Sequence, residues 1–237
     1  MSRFLVILMR KIGIIGGTSP EATCYYYKKY LEISREKFEP YVFPELIIYS
    51  INFKEFIHNP NGWEGRKEIL IKAAKALENA GAEIISLSAN TPHIVFPEIQ
   101  KAVSVPMVSI IDALIEEMER RGVRKVLLLG TKTTMTADFY KNALREAGFD
   151  VITPNEGEMD ELNRIITEEL MFENFASRDW VLNLINRYID KEGIEGVILG
   201  CTELPLIVKQ GDVEAEVFDT VEIHMRKLIE VASENKE

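Results

Sequence analysis

Two stretches of this chain close an apolar run with small and polar residues, and only one of them carries a thiol. Gly193–Pro205 reads GIEGVILGCTELP and Gly81–His93 reads GAEIISLSANTPH. Aligned on their glycines, Cys201 falls on Ala89 (201 − 193 = 89 − 81). Cys201 follows a strand-like run and precedes Thr-Glu-Leu-Pro, which reads as the start of a helix. Backbone N–H groups and the helix dipole at such a place stabilise a thiolate and lower its pKa. The chemistry to expect is proton transfer by a reactive thiol, set against the alternative of a buried, inert cysteine. Ala89 puts a methyl group where the other copy has sulfur. Cys24 lies inside a helix beside Tyr25, Tyr26 and Tyr27 and reads as a packing residue.

The other polar groups collect in four turns: GGTSP, SANTPH, GTKTTM and GCTELP. Their hydroxyls and backbone N–H groups suit a carboxylate or a phosphate. Each turn taken alone is equally a helix cap, since Asn, Thr and Ser lead as caps and Pro fits the first helical turn. A dinucleotide finger needs G-x-G-x-x-G and an acid closing the second strand. Here the glycines are Gly13, Gly16 and Gly17, and the next strand ends YSINF without an acid. There is no Walker lysine either. Three scattered histidines, with His93 in a turn and His224 in the last helix, suggest no metal site.

The elements that must position these turns repeat. Arg10–Leu31 matches Arg124–Arg145 at an offset of 114, and the glycine-led pair above recurs at 112 (193 − 81). Two blocks recurring in order at nearly one spacing predict two copies of a single α/β unit. Between them, Glu45–Phe53, Pro106–Ile111 and Asp150–Pro154 read as strands. Lys67–Gly81 and Asp112–Gly122 read as amphipathic helices with glycine stops. Alternation of this kind implies parallel sheets covered by helices on both faces, with ligands beyond the carboxyl ends of the strands. Pro97–Val105 reads as the bridge between the units.

Composition bounds the partners. The chain has 237 residues, 46% apolar, with a formal charge of −10. That length buries a full core. The acidic surface argues against nucleic acid or an anionic membrane as partner. Two cysteines are too few for a disulfide framework, so a reducing cytoplasm is expected. The N-terminal FLVILM is too short to span a membrane and lacks a cleavage site, so the first eight residues read as an extension.

Taken in order, IGIIGGTSPEAT, YSINF, ANTPH, LLGTKTTMTADFY, IITEEL, ILGCTELP and FDTVEIH resemble the aspartate/glutamate racemase family, over almost the whole chain after Met9. The resemblance implies an α/β fold of two pseudo-symmetric domains, each a short parallel sheet flanked by helices, with the active site in the cleft between them. It places the first domain at residues 9–100, with the C-terminal helix 212–237 packing back on it, and the second at 101–211. It implies a cytoplasmic homodimer that needs no cofactor and no metal and acts on a small amino acid or dicarboxylate. Inversion at the α-carbon requires one group to take a proton from one face and another to return one to the opposite face. Most members of the family use two cysteines, in Cys-Asn-Thr-x-His and Gly-Cys-Thr-Glu turns. This chain matches Asn90, Thr91, His93, Gly200, Cys201, Thr202 and Glu203, and departs at Ala89.

By that resemblance Cys201 is the catalytic acid/base, with His93 and Glu203 as auxiliary groups. Thr18, Asn52, Asn90, Thr91, Thr131, Thr134 and Thr202 are the substrate-binding set. Three readings stay open. A racemase could serve the Ala89 face from Thr91, His93 or Ser88, although strand alternation turns Ser88 away. One thiol could suffice, as in arylmalonate decarboxylase, for decarboxylation or isomerisation. The protein could instead bind an acidic amino acid without turning it over. A cation for a side-chain carboxylate is not obvious; Lys132 reads as a solvated lysine.

Overall fold

Runs of branched apolar residues, bounded by glycine and polar turns, make the central strands of this computed structural model, which describes residues 9–234. The expectation for the first eight residues lies outside that part. The chain divides into two compact units. One takes the chain up to Ser88, then Val95–Ser109, and everything from His224 on; the other takes Ala89–Ile94 and Ile110–Ile223.

In the first unit the order is β1 (Ile12–Gly16), α1 (Pro20–Lys37), β2 (Leu46–Ser50), α2 (Phe53–Ile57), α3 (Gly62–Asn79), β3 (Ile84–Leu87) and α4 (Phe96–Lys101). The three strands pair in parallel in the order β2-β1-β3. Ile12, Ile14 and Ile15 of β1 and Ile84, Ile85 and Leu87 of β3 are fully buried, as a parallel sheet covered on both faces requires. Leu70 and Leu77 are buried on one face of α3. After β1 the chain turns at Gly17 with φ of +81°, and a Cβ there would sit 2.5 Å from the Ile51 carbonyl oxygen. Only glycine fits that position. Ser19 caps α1 by accepting from Ala22 N, with Pro20 in the first turn.

The second unit runs α5 (Ile110–Arg121), β4 (Lys125–Leu129), α6 (Lys132–Thr136), α7 (Asp138–Glu146), β5 (Asp150–Ile152), α8 (Glu156–Arg164), α9 (Arg178–Glu192), β6 (Gly196–Leu199) and β7 (Glu216–Asp219). The last helix, α10 (Thr220–Ser233), begins here. The sheet order is β5-β4-β6-β7, all parallel. Between α8 and α9 a π-helical turn (Ile165–Glu169) and a 3₁₀ turn (Leu170–Phe172) interrupt the helix.

The repeated Gly-x-Glu has one structural meaning in both copies. Glu83 accepts from Lys11 N at 2.9 Å, and Glu195 accepts from Arg124 N at 2.6 Å and Lys125 N at 3.1 Å. Each carboxylate therefore ties off the first N–H groups of the adjacent central strand, which would otherwise stay unpaired.

Four expectations need correction. Pro106–Ile111 is not a strand of the sheet: Met107 makes only an isolated bridge to Ile85, and helix α5 starts at Ile110. Pro97–Val105 does not join the units but belongs wholly to the first. The chain crosses between units after Ser88, Ile94, Ser109 and Ile223, not at residue 100 or 211. Residues 212–223 belong to the second unit because β7 pairs with β6; from His224 on the helix belongs to the first unit, where Arg226 pairs with Glu36 at 2.9 Å. Cys24 is exposed on α1, since the buried side of that helix runs through Ala22, Tyr26 and Tyr30.

Candidate active site

In the second unit, β4 and β6 are followed by Gly130 and Gly200, which lie close together. A Cβ on Gly200 would lie 2.8 Å from the Leu129 carbonyl oxygen and 3.3 Å from Thr134 Cγ2. The glycine lets the chain turn there and presents Cys201 immediately after the strand. Beyond the thiol the chain makes a single 3₁₀ turn, Leu204–Leu206, and not the helix expected from the sequence. Three residues carry little dipole. The lowered thiol pKa expected from a helix N-terminus is therefore not found.

The thiol is held the other way. Burial pushes the pKa of Cys201 well above that of free cysteine, and the neighbouring Glu203 carboxylate adds to the rise. The S–H donates to Glu203 Oε2 at 2.9 Å, and Thr202 O–H donates to the same oxygen at 2.8 Å. Thr202 and Glu203 are both buried. The Gly-Cys-Thr-Glu turn thus holds a protonated thiol against a carboxylate that two donors fix in place.

The Ala89–Ile94 segment belongs to this same unit. Ala89 contributes its carbonyl, which accepts from His93 Nδ1 at 2.9 Å. Ile110 N donates to His93 Nε2 at 3.1 Å. A carbonyl only accepts and an amide N–H only donates, so the imidazole is neutral with its proton on Nδ1. Both ring nitrogens are engaged by backbone, and His93 pins the turn. Thr91 Oγ1 lies 3.1 Å from Thr134 Oγ1, which lies 3.1 Å from Thr131 Oγ1. Thr131 also caps α6 by accepting from Thr134 N. These three hydroxyls form a continuous chain, with Thr134 fully buried and packed against Gly130 and Gly200.

Asn90 is buried in a network of its own. Its side-chain amide donates to Thr220 Oγ1 at 3.0 Å, its oxygen accepts from Tyr140 O–H at 3.1 Å, and Thr220 donates on to Leu199 O at 2.9 Å. Burial raises the Tyr140 pKa, so the phenol stays a donor. Asn90 thereby links its turn to the end of β6. Neither Tyr140 nor Thr220 stands out in the sequence as a partner for it.

The first unit holds the other named residues. Thr18 Oγ1 is buried and has no hydrogen-bond partner among the described residues. Asn52 is exposed and caps α2, accepting from Glu55 N at 3.3 Å and donating to Glu55 Oε1 at 3.0 Å. Ser88 is fully buried, with its hydroxyl 3.4 Å from Thr23 Oγ1. Lys132, in the second unit, is ion-paired with Asp160.

The family model for Asp/Glu/Hydantoin racemase matches residues 15–228. The chain belongs to that family. Among members and their kin, it is 31% identical over 144 residues to the broad specificity amino-acid racemase RacX of Bacillus subtilis, covering 60% of this chain and 63% of that racemase. The match thus spans less than two thirds of RacX. An aspartate racemase homologue from Pyrococcus horikoshii has 71% identity and a TM-score of 0.90, with 95% of this chain and all (100%) of that one covered. Picrophilus torridus aspartate racemase has 23% identity, a TM-score of 0.76 and 96% coverage of each chain, and shares the fold. The two parallel sheets flanked by helices are those of the racemase structures.

Proposed function

We propose that this protein is an amino-acid racemase that needs no pyridoxal cofactor and moves the α-proton of its substrate through Cys201. The observation that carries the reading is the 2.9 Å hydrogen bond from the Cys201 thiol to Glu203 Oε2. A thiol with a raised pKa is a poor base by itself, and the adjacent carboxylate supplies the route for its proton. In the forward step Glu203 takes the S–H proton, and sulfur takes the α-proton as the C–H bond breaks. The electron pair left on carbon spreads into the substrate carboxylate. Hydroxyl donors of the Thr91–Thr134–Thr131 chain are the groups of this unit suited to hold that carboxylate.

Ala89, which the family resemblance sets against the thiol, carries no proton, and both ring nitrogens of His93 are engaged by backbone. Thr91 is the remaining hydroxyl in that turn, and its link to Thr134 and Thr131 lets it pass a proton on. Full racemisation on this reading runs between Cys201 and Thr91. A second reading rests on the same alanine: with Cys201 alone, the enzyme exchanges the α-proton on one face or protonates a carbanion formed by loss of a carboxyl group. The reading includes a small amino acid as substrate and a cytoplasmic homodimer. Among the described residues no helix is long and apolar enough to cross a membrane.

The test is Glu203→Gln. Removing the carboxylate removes one cause of the raised thiol pKa, so Cys201 alkylation by iodoacetamide at pH 8 should quicken by about tenfold per unit of pKa regained. Turnover should fall in the same variant because the proton acceptor is gone. Alkylation and turnover moving together would refute the dyad.

A further inference from the structure

We infer that Asn163 is a positioning residue for the hydroxyl chain of Thr131, Thr134 and Thr91, acting through the backbone of Lys132. The inference rests on the reading that this chain holds the substrate carboxylate while Cys201 moves the α-proton. Two of the three hydroxyls belong to α6 and its cap, and α6 is poorly stabilised by its own bonds. It is five residues long, Lys132–Thr136, too short to persist as an isolated helix. Its cap is weak as well: Thr134 N donates to Thr131 Oγ1 at 3.4 Å, beyond the usual range for such a bond. The places of Thr131 and Thr134 therefore depend on what holds α6 from outside.

Asn163 of α8 supplies such a hold. Lys132 is the first residue of α6, and an N–H at that position has no acceptor within its own helix. Asn163 Oδ1 accepts from it at 2.9 Å. The bond grips the residue directly after Thr131, where the first turn of α6 leaves β4. The same lysine is ion-paired through its ammonium with Asp160, one turn earlier on α8. Both partners of that pair are exposed, so it contributes little. The backbone bond to Asn163 is the stronger tie.

Helix α8 is a firm base for it. Its N-terminus carries a capping box, in which Asn155 accepts from Glu158 N and Glu158 accepts from Asn155 N. Arg187 and Tyr188 of α9 donate to the same Glu158 at 2.9 and 2.8 Å. Leu162, next to Asn163, is fully buried in the core cluster against which Cys201 packs. On the other side, the Thr167 hydroxyl of the π-helical turn donates to the Asn163 carbonyl at 2.9 Å. Asparagine is a poor choice inside a helical run, where its amide competes for backbone groups. The bond to Lys132 gives it a use there that alanine cannot serve. The hydroxyl chain in turn reaches the turn that carries the thiol. Thr134 is fully buried, with its Cγ2 3.3 Å from where a Cβ on Gly200, the residue before Cys201, would sit. A shift of α6 is thus a shift of the hydroxyls against the Cys201 turn.

The experiment compares the wild-type protein with Asn163→Ala, Asn163→Asp, Asn163→Gln and Asp160→Asn. It reads amide hydrogen exchange at Lys132 by NMR. It also reads KM and kcat for α-proton exchange in D₂O with both enantiomers of aspartate, glutamate and leucine. Asn163→Ala removes the acceptor while raising helix propensity, so α8 itself should persist. It should quicken exchange of the Lys132 amide and raise KM about tenfold, the scale of one hydrogen bond, with kcat lowered by no more than about threefold. Asn163→Asp retains the acceptor and should bring KM back to within about twofold of wild type. Asn163→Gln moves the acceptor by one methylene and should behave as the alanine variant does, which covers the case of an alanine variant that folds poorly. Asp160→Asn should change KM by less than about twofold. An unchanged Lys132 amide or an unchanged KM in Asn163→Ala would overturn the proposal and leave the proton-transfer reading standing. So would a raised KM that Asn163→Asp does not restore. Absence of α-proton exchange in the wild-type protein with all these compounds would overturn that reading and the proposal with it.

Discussion

His224 should make the stability of this protein fall steeply in mild acid. The imidazole is fully buried in the first unit. Its Nδ1 lies 2.8 Å from the Tyr26 hydroxyl, while Nε2 lies 2.8 Å from Ser86 Oγ and 3.0 Å from Val108 O. The carbonyl only accepts, so the neutral ring carries its proton on Nε2 and accepts from Tyr26. Burial lowers its pKa to about 4, against about 6.5 for the unfolded chain. The unfolded state therefore takes up the proton first, and acid favours unfolding. The stabilising contribution is complete above about pH 6.5 and is lost as pH falls through about 4. At 1.36 kcal/mol per pKa unit, the lowering corresponds to about 3 kcal/mol. His224→Gln retains an amide donor for Val108 O and removes the titration. Urea denaturation of both proteins from pH 7 to pH 4 should show the wild-type advantage shrinking by about 3 kcal/mol. Parallel loss of stability in the two proteins would refute the reasoning, and so would a His224 ring-proton NMR midpoint near 6.5.

Two further substitutions test the scaffold of the site. Asn90→Ala strands the Tyr140 hydroxyl and removes the Thr220 contact, and should cost about 1–3 kcal/mol in denaturation experiments; Tyr140→Phe should cost less. Gly200→Ala drives a methyl group to within 2.8 Å of the Leu129 carbonyl oxygen, a backbone atom with little freedom to move. It should destabilise by about 1–3 kcal/mol and lower turnover further by displacing Cys201.

Much of the fold could be read from the sequence because its signals are local. The apolar runs of β1, β3, β4 and β6 lie where the repeats place them, and each Gly-x-Glu marks a carboxylate that ties off the neighbouring strand. The features hidden in the sequence depend on contacts between residues far apart along it. Asn90 reads as a substrate ligand, and its bonds to Tyr140 and Thr220, 50 and 130 residues away, add a structural role that the sequence does not show. Cys201 reads as helix-activated because Thr-Glu-Leu-Pro resembles a helix start. A single 3₁₀ turn forms there, and the carboxylate two residues on governs the thiol. β7 is a short strand, EVFD, whose place is fixed by pairing with β6, and the chain alone gives little sign of it. The exposed Cys24 shows the limit of neighbours in sequence, since Tyr26 is buried on a different side of the same helix.

The central claim is that Cys201 is the group through which the substrate's α-proton passes. The most direct measurement is the rate of α-proton loss in D₂O, followed by proton NMR for each amino-acid enantiomer, with wild-type protein and Cys201→Ala side by side, and chiral chromatography of the products. The account predicts exchange in the wild-type protein that disappears in Cys201→Ala, with inversion if Thr91 serves the second face and retention if the thiol acts alone. Undiminished exchange in Cys201→Ala would contradict it.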